Sequence, residues 1–299
     1  MGNILTKGNL FDPKLTRKVI DLVKGKSALA ALSAQEPVSF VGNKEFTFTL
    51  DNEVDIVAEN GGKSNGGATI TPVTIVPLKV EYGTRVSDEL MYASEEEQVE
   101  ILAPLFDGMA KKIARGLDIM AFHGLNPRTK QASEIIGTNH FDSKVSQTVE
   151  AGQNPDDDVE AAIDLVQGAD HEVTGMAMSP AFKSALAALK DNEGRRIYPD
   201  LAWGKTAGAI NGLPVQVNNT VSFNSSPDKA IVGDFEGMFK WGYAKDMFYD
   251  IIEYGNPDND AEAGDLKGHN QVYVRAEAYV GWGILDASAF ALIEAPASL

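Results

Sequence analysis

Residues 94–124 read SEEEQVEILAPLFDGMAKKIARGLDIMAFHG, and they carry the strongest structural signal in the chain. Ser94 and Glu97 form a capping-box pattern, and Gly124 can end a helix. Between them, apolar residues recur every three or four positions, which predicts one amphipathic helix: Val99, Leu102, Phe106, Met109, Ile113, Leu117 and Met120. Pro104 removes one backbone hydrogen bond, so a kink or a restart is predicted there. A helix over 95–123 would be about 43 Å long, enough to cross a domain.

An extended segment comes immediately before this helix. Alternating apolar and threonine residues over 46–50 have the period of a β-strand, and 54–58 continue it. The polar loop 59–67 contains four glycines, after which the chain returns through 69–86 with further apolar alternation and two prolines. Prolines cannot donate to a strand ladder, which indicates an edge position. Because a two-stranded hairpin is marginally stable in water, we expect this one to lie on its own body or on a neighbouring chain.

The N-terminal arm differs in charge from the rest of the chain. Residues 1–35 contain six basic and two acidic residues, whereas the whole chain carries a net charge of −17 from 26 basic and 43 acidic residues. Asp12, Pro13 and Gly25 are start and stop signals that predict a short helix. The basic arm comprises Lys14, Arg17, Lys18, Lys24 and Lys26. This pattern fits contact with an acidic partner and, equally well, a solvated helix face.

Composition excludes several classes of protein. The chain has 299 residues, of which 43% are apolar and 23% charged, as in globular proteins. It contains no cysteine, which excludes a disulfide scaffold, a thiolate metal site and a cysteine nucleophile. No signal-peptide pattern occurs, and the apolar segment 278–293 is too short to span a membrane, so a soluble protein without a membrane partner is predicted. The acidic balance argues against general nucleic-acid binding.

The second half of the chain mixes helices and strands. Residues 126–155 are polar and are expected to be irregular. Pro155 and the pair Ser179-Pro180 are helix start signals, and they predict helices over 155–168 and 180–189. Strands are predicted over 213–217, 230–232, 247–253, 271–280 and 289–294, with an acidic loop over 256–268. This order has no regular βαβ alternation, so the predicted fold class is α+β.

Motifs that would carry chemistry are incomplete. Gly62-Lys63-Ser64 and Gly204-Lys205-Thr206 end like a phosphate-binding loop, but both lack the required earlier glycine. The acidic residues that begin at Asp258 alternate as in a calcium loop but lack its glycine and its final glutamate. The histidines have no metal-ligand spacing and are expected to be surface or packing residues: His123, His140, His171 and His269. We therefore expect no enzyme, no cofactor and no metal site, and favour a structural or assembly role.

Four short sequence motifs occur in a fixed order in the second half of the chain. They are Leu189-Lys190-Asp191 with Gly194-Arg195, Ile210-Asn-Gly-Leu-Pro-Val215, Ile231-Val-Gly-Asp-Phe235 and Ala289-Phe-Ala-Leu292. With the preceding hairpin and long helix, this order resembles the major capsid proteins of tailed double-stranded DNA bacteriophages, which have the HK97 fold. The resemblance extends over about residues 10–295. It implies an N-terminal arm (1–43), an E-loop hairpin (44–87), a P-domain with the long spine helix (88–150), an A-domain (151–268) and C-terminal strands that return to the P-domain (269–299).

The resemblance also implies a function. Subunits would self-assemble as pentamers and hexamers into an icosahedral virion capsid that encloses double-stranded DNA without sequence-specific binding, after synthesis in the cytoplasm of the host bacterium. The short arm resembles that of members with a separate scaffold protein; a portal and, in some members, decoration proteins are the other implied partners. The alternative within the fold is an encapsulin-like nanocompartment that holds cargo enzymes. A small-molecule enzyme with an α+β fold is a more distant alternative.

The hairpin tip is the implied contact between subunits, and it comprises Asn60, Gly61, Gly62, Lys63, Ser64 and Asn65. Some members of the family join a hairpin lysine covalently to an asparagine of another subunit. Lys63 is the candidate here, but no asparagine or glutamate partner can be chosen from the sequence. A solvated lysine between glycines is the favoured interpretation.

Overall fold

The computed structural model describes residues 27–50, 53–89, 95–203 and 208–296. In chain order, its helices are α1 (Ala28–Leu32), α2 (Glu95–His123), α3 (Phe141–Lys144), α4 (Pro155–Gly168) and α5 (Pro180–Ala188). Its strands are β1 (Asn43–Leu50), β2 (Ala68–Ile75), β3 (Leu78–Ser87), β4 (Thr148–Glu150), β5 (Gly175–Met178), β6 (Ala209–Ile210), β7 (Leu213–Val217), β8 (Asp228–Gly233), β9 (Phe239–Ile252), β10 (Gln271–Ile284) and β11 (Phe290–Glu294). The short helix predicted over 13–25 lies outside the described residues.

The long helix α2 is present as predicted. From residue 106 onward its apolar stripe is buried: Phe106, Met109, Ile113, Leu117 and Met120. Gly124 comes directly after the helix with φ of +65°, and its N–H donates to the carbonyl of Met120 at 3.0 Å. Of the kink or restart predicted at Pro104, the restart does not occur, because α2 is continuous across this residue. One lost hydrogen bond is outweighed by the buried stripe, since packing supplies most helical stability in proteins.

The helix α2 shares a core with a three-stranded antiparallel sheet of order β3-β10-β9. Trp241 of β9 and Trp282 of β10 are cross-strand partners, and both are fully buried. The sheet strands are longer than predicted, because β9 begins at 239 rather than 247 and β10 ends at 284 rather than 280. Both extensions contain glycines, which are Gly242, Gly281 and Gly283. Glycine has low strand propensity, so the sequence pattern does not reveal them.

A six-stranded mixed sheet of order β4-β11-β8-β5-β7-β6 forms the second layer. Successive residues of its central strands face opposite sides, so Ile231 and Leu292 join the core around α2, whereas Val232 and Ile293 join the core beneath α4 and α5. The strand β5 is buried at all four positions, and β4 has three residues. Neither strand shows the alternation that identifies strands from sequence, so neither is predicted.

The two helices that cover this sheet begin at the start signals predicted from the sequence, Pro155 and the pair Ser179-Pro180. The side chain of Asn154 accepts a hydrogen bond from the N–H of Asp156, and Ser179 accepts one from the N–H of Phe182 at 3.3 Å. Each cap precedes a proline at the first helical position, where the missing N–H costs nothing. Among the helices that the structure describes, none is long and apolar enough to cross a membrane.

The paired part of the hairpin is shorter than the sequence pattern predicts. Strands β1 and β2 pair antiparallel from Asn43↔Ile75 to Leu50↔Ala68 and form a separate two-stranded ribbon. The strand β3 leaves it and pairs with β10, so the returning strand is divided near Pro77. The expected strand over 54–58 is wrong, because residues 53–67 form an irregular loop. The opposing segment is rich in Gly, Asn and Ser, which have low strand propensity.

The segment after α1 is built into the edge of β9. The N–H of Glu36 donates to the carbonyl of Trp241 at 2.9 Å, and the N–H of Val38 donates to that of Tyr243 at 3.4 Å. The indole Nε1 of Trp241 donates in turn to the carbonyl of Ser33 at 3.0 Å. Residues 33–38 therefore act as a further edge of the sheet and connect the N-terminal region to the main core.

Candidate assembly surfaces

The outer part of the ribbon of β1 and β2 has one apolar face and one polar face. Phe46, Phe48 and Leu50 point to the same side, because alternate residues of a strand share a face. Across the ribbon, Phe48 is opposite Ile70 on that side, and the other side carries threonines. Phe48 is 70% exposed and Leu50 is 76% exposed. An exposed apolar face of this kind is typical of a protein–protein contact.

The base of the ribbon is fixed to the sheet, unlike its outer part. Ile75 is buried and lies over two glycines of β10. A Cβ atom at Gly283 would lie 2.8 Å from Cγ1 of Ile75, and one at Gly281 would lie 3.1 Å from its Cγ2. The absence of side chains at these two positions lets the ribbon approach β10 closely. The ribbon is thus held at one end and projects its apolar face beyond the subunit core.

The predicted hairpin tip is the exposed loop at the far end of this ribbon. All six residues of the predicted tip, 60–65, are exposed, and the turn is closed by the N–H of Gly61 donating to the carbonyl of Ala58 at 2.8 Å. Asn60 has φ of +63°, a conformation that asparagine tolerates. Lys63 is solvent-exposed. Its role in contacts between subunits remains a prediction.

The residues of the basic arm lie outside the described residues; they are Lys14, Arg17, Lys18, Lys24 and Lys26. The segment that begins at Ser27, directly after the last basic residue of the arm, is anchored at a buried carboxylate, Asp118 of α2. Asp118 accepts hydrogen bonds from the hydroxyl of Ser27 and from the backbone N–H groups of Ala28 and Leu29 at the start of α1. It also accepts from Asn218 Nδ2 at 3.0 Å and Thr220 Oγ1 at 2.9 Å. One carboxylate therefore joins three segments that are distant in sequence.

Asp118 is expected to make the stability of the unassembled subunit depend on pH. Burial raises its pKa from 3.8 to about 6, although its hydrogen bonds oppose the shift. Between these values the folded chain holds a proton that the unfolded chain releases, so the contribution of Asp118 to stability is lost as pH rises through about 6. The full shift of about two units corresponds to about 3 kcal/mol below pH 4, of which about half is still present at pH 5.0.

The measurement is urea unfolding of wild type and Asp118→Asn at pH 5.0 and 7.5. The stability of wild type relative to the variant should be greater at pH 5.0. Asp164→Asn, which changes an exposed carboxylate on α4, is the control and should leave the pH dependence unaltered. Equal pH dependence of wild type and Asp118→Asn would contradict the assignment.

The acidic loop 256–268 is held by Arg85 of β3. The guanidinium donates to both carboxylate oxygens of Asp258 and to Oδ1 of Asn256. It also donates to the carbonyl of Gly264 at 2.9 Å. This contact lowers the pKa of Asp258 to about 2, chiefly through the hydrogen bonds from Arg85. The acidic loop predicted over 256–268 is therefore ordered around one arginine.

Replacing Arg85 by alanine is expected to loosen this loop without unfolding the subunit. Its backbone amides should exchange hydrogen several-fold faster, because the hydrogen bonds from β3 to this loop come from one side chain. Hydrogen–deuterium exchange with mass spectrometry measures this directly. Arg195→Ala removes an exposed arginine that pairs with Glu193 and is the control. Unchanged exchange over 256–265 in Arg85→Ala would show that the loop is held by other contacts.

His123 makes side-chain contacts that the sequence does not predict. It is the last residue of α2 and is buried. Its Nδ1 atom lies 2.8 Å from an oxygen of Asp142 and 3.4 Å from an oxygen of Asp228. These three residues are far apart in sequence, so no motif spacing identifies them. His171 makes a simpler contact, 3.5 Å from Asp286.

Comparison with known proteins agrees with this architecture. The model of the phage capsid family matches residues 7–295. A solved structure from Mycobacterium phage Ogopogo has 31% sequence identity and a TM-score of 0.75, with 90% of this chain and 92% of that chain covered. One from Gordonia phage Cozz has 26% identity and a TM-score of 0.74, with 91% and 87% covered.

More distant structures share the fold alone. The capsid of an empty GTA particle, computed with C5 symmetry, has 16% identity and a TM-score of 0.63, with 91% and 90% covered. No curated protein matches the sequence significantly. The match over nearly the whole chain and the likeness to phage structures agree with the fold, and the chain belongs to the phage capsid family, with the HK97-like fold of major capsid proteins.

Proposed function

We propose that this chain is a structural capsid subunit that assembles as pentamers and hexamers into an icosahedral shell enclosing double-stranded DNA. The observation that carries the proposal is the apolar face of the ribbon, which projects from the subunit with Phe48 70% exposed. In a closed symmetric shell each subunit presents this face to a neighbour and covers the corresponding face of another, so one contact is repeated around the particle.

The other parts of the chain take roles that fit this arrangement. The hairpin acts as the E-loop, lies across the adjacent copy and places tip residues 60–65 against it. The basic arm contacts the acidic bodies of neighbouring subunits or faces the interior. The net charge of −17 keeps the inner wall from adhering to DNA, so enclosure needs no sequence-specific binding. Synthesis takes place in the host cytoplasm, with separate scaffold, portal and decoration proteins as partners.

Negative-stain electron microscopy of the purified recombinant protein tests this proposal. Closed shells, rings of five or six subunits, or tubes would support it. The ratio of absorbance at about 260 nm to that at 280 nm separates a shell that holds nucleic acid from one that holds cargo protein, as a nanocompartment would. Monomers that stay unassembled after a scaffold protein from the same genome is added would overturn the proposal.

A further inference from the structure

Three ligand-type side chains meet where the long helix ends. His123 is the last residue of α2, Asp142 lies in α3, and Asp228 is the first residue of β8. One ligand atom from each lies within 4.8 Å of the other two. The side chains of His123 and Asp228 are only 2% exposed, whereas that of Asp142 is 32% exposed. The group is therefore enclosed on the protein side and opens to solvent beside Asp142.

The protonation of His123 is fixed from outside this group. Its Nε2 atom lies 2.8 Å from the carbonyl oxygen of Thr220. A carbonyl oxygen can only accept, so Nε2 carries a proton and donates it. In the neutral imidazole, Nδ1 then has a free lone pair. A histidine whose second nitrogen is tied to a backbone carbonyl is the usual arrangement of a metal ligand.

When His123 is neutral, the lone pair on Nδ1 is directed at oxygen atoms that also have lone pairs. In the described part of the chain, the polar atoms in contact with Nδ1 are Oδ2 of Asp142 at 2.8 Å and Oδ2 of Asp228 at 3.4 Å. Ionised carboxylates are acceptors only. Three acceptor atoms that converge on one point repel one another unless a proton or a cation lies between them.

We propose that His123, Asp142 and Asp228 bind a divalent transition-metal ion, Zn²⁺ or one of similar ligand preference. Nδ1 and one oxygen of each carboxylate are the ligands, and water takes the position that opens to solvent. Imidazole and carboxylate oxygens bind zinc at about 2.0–2.2 Å, which places tetrahedral ligand atoms about 3.3 Å apart. The distance of 3.4 Å from Nδ1 to Asp228 fits this spacing. The distance of 2.8 Å to Asp142 is too short, and this partly exposed side chain on a four-residue helix must move outward slightly.

The charge balance of the buried group supports this ion. A divalent cation with two carboxylates and a neutral imidazole has no net charge, whereas the group without a cation leaves acidic charge in a buried place. The hydroxyl of Ser226 donates to Asp228 Oδ2 at 2.7 Å and orients that carboxylate. A bound ion would join α2, α3 and β8.

The test uses the full chain as unassembled subunits, freed of metal by a chelator and titrated with ZnCl₂ in a calorimeter. CoCl₂ titration followed by visible absorption reports the ligand geometry. Wild type should bind one ion per subunit, show tetrahedral cobalt absorption and melt at a higher temperature with Zn²⁺, because the ion binds the folded chain. Asp142→Asn and Asp228→Asn should each weaken binding at least about tenfold, since removing a ligand typically costs more than losing an outer contact.

A matched control is available at a second histidine–aspartate contact. His171 Nε2 lies 3.5 Å from Asp286, with one carboxylate rather than two, so Asp286→Asn should leave binding unchanged. Asp142→Asn keeps the test valid if Asp228→Asn fails to fold, because Asp142 is partly exposed. No stoichiometric binding by wild type, or binding that neither ligand variant weakens, would overturn the proposal and leave a shared proton in the group. The readout does not depend on capsid assembly.

Discussion

Gly242→Ala is expected to destabilise the subunit by about 3 kcal/mol or more, because among the glycines the structure describes its added methyl group would meet the closest atom. An alanine Cβ at this position would lie 1.6 Å from the carbonyl oxygen of Glu36. Because that oxygen belongs to the backbone, no rotamer change can relieve the overlap. The segment 33–38 must leave the edge of β9 or the strand must bend.

Either response removes contacts of the buried core. Leaving β9 breaks the hydrogen bonds of Glu36 and Val38 and the bond from Trp241 Nε1 to the carbonyl of Ser33. Buried polar groups that lose their partners are costly, and Trp241 is fully buried. Thermal unfolding of the unassembled subunit measures the effect.

The control is Gly168→Ala, at the last residue of α4. No atom lies within 4 Å of a Cβ built at Gly168, so alanine is accommodated there. The free energy of unfolding of Gly168→Ala should lie within about 1 kcal/mol of the wild-type value, as is usual for this change in a helix. A melting temperature of Gly242→Ala equal to that of wild type would contradict the packing of 33–38 on β9.

Phe48→Asp is expected to abolish shell assembly while leaving the subunit folded. Phe48 is mostly exposed in the single subunit, so its replacement removes little intramolecular packing. At an interface, burial of such a side chain contributes about 1.5–3 kcal/mol, which is about 10- to 100-fold in the affinity of each contact. A charge placed in the same apolar contact adds a desolvation cost. Because the contact recurs at every subunit, small changes in it have large effects on assembly.

The matched control for this variant is Thr49→Asp. Thr49 is the next residue on the same strand, and it pairs with Thr69 on the polar face of the ribbon. Thr49→Asp introduces the same negative charge on the opposite face of the ribbon. Circular dichroism and thermal unfolding should be the same for both variants and wild type. Sedimentation velocity should find shells for wild type and Thr49→Asp and small species for Phe48→Asp. Assembly of Phe48→Asp at the wild-type protein concentration would contradict the role of the apolar face.

The elements with strong periodicity or clear caps could be predicted from the sequence. The stripe of α2, the proline caps of α4 and α5 and the alternation in β1 all depend on nearby residues. The elements that could not be predicted depend on distant partners. The strand β5 has no polar face because both of its sides are covered. The extension of β9 contains Gly242, and the reason for a glycine there is its close approach to the backbone of Glu36, which is distant in sequence.

The same distinction applies to the candidate sites. The apolar ribbon was predictable as a hairpin that needs a partner, because Phe46, Phe48 and Leu50 are regularly spaced. The divided return strand was not, because β3 pairs with β10, whose sequence lies far downstream. His123 and Asp228 are 105 residues apart in the sequence, so spacing could not bring them together. Only an isolated histidine directly before the helix-ending Gly124 marked this place in the sequence.

A cryo-electron microscopy reconstruction of assembled particles tests the central claim most directly, because it locates the ribbon relative to neighbouring copies. We predict that β1 and β2 lie across an adjacent subunit, with Phe48 and Ile70 buried against it and the polar face outward. A ribbon folded onto its own subunit, or one whose apolar face stays in solvent within a closed shell, would contradict this claim.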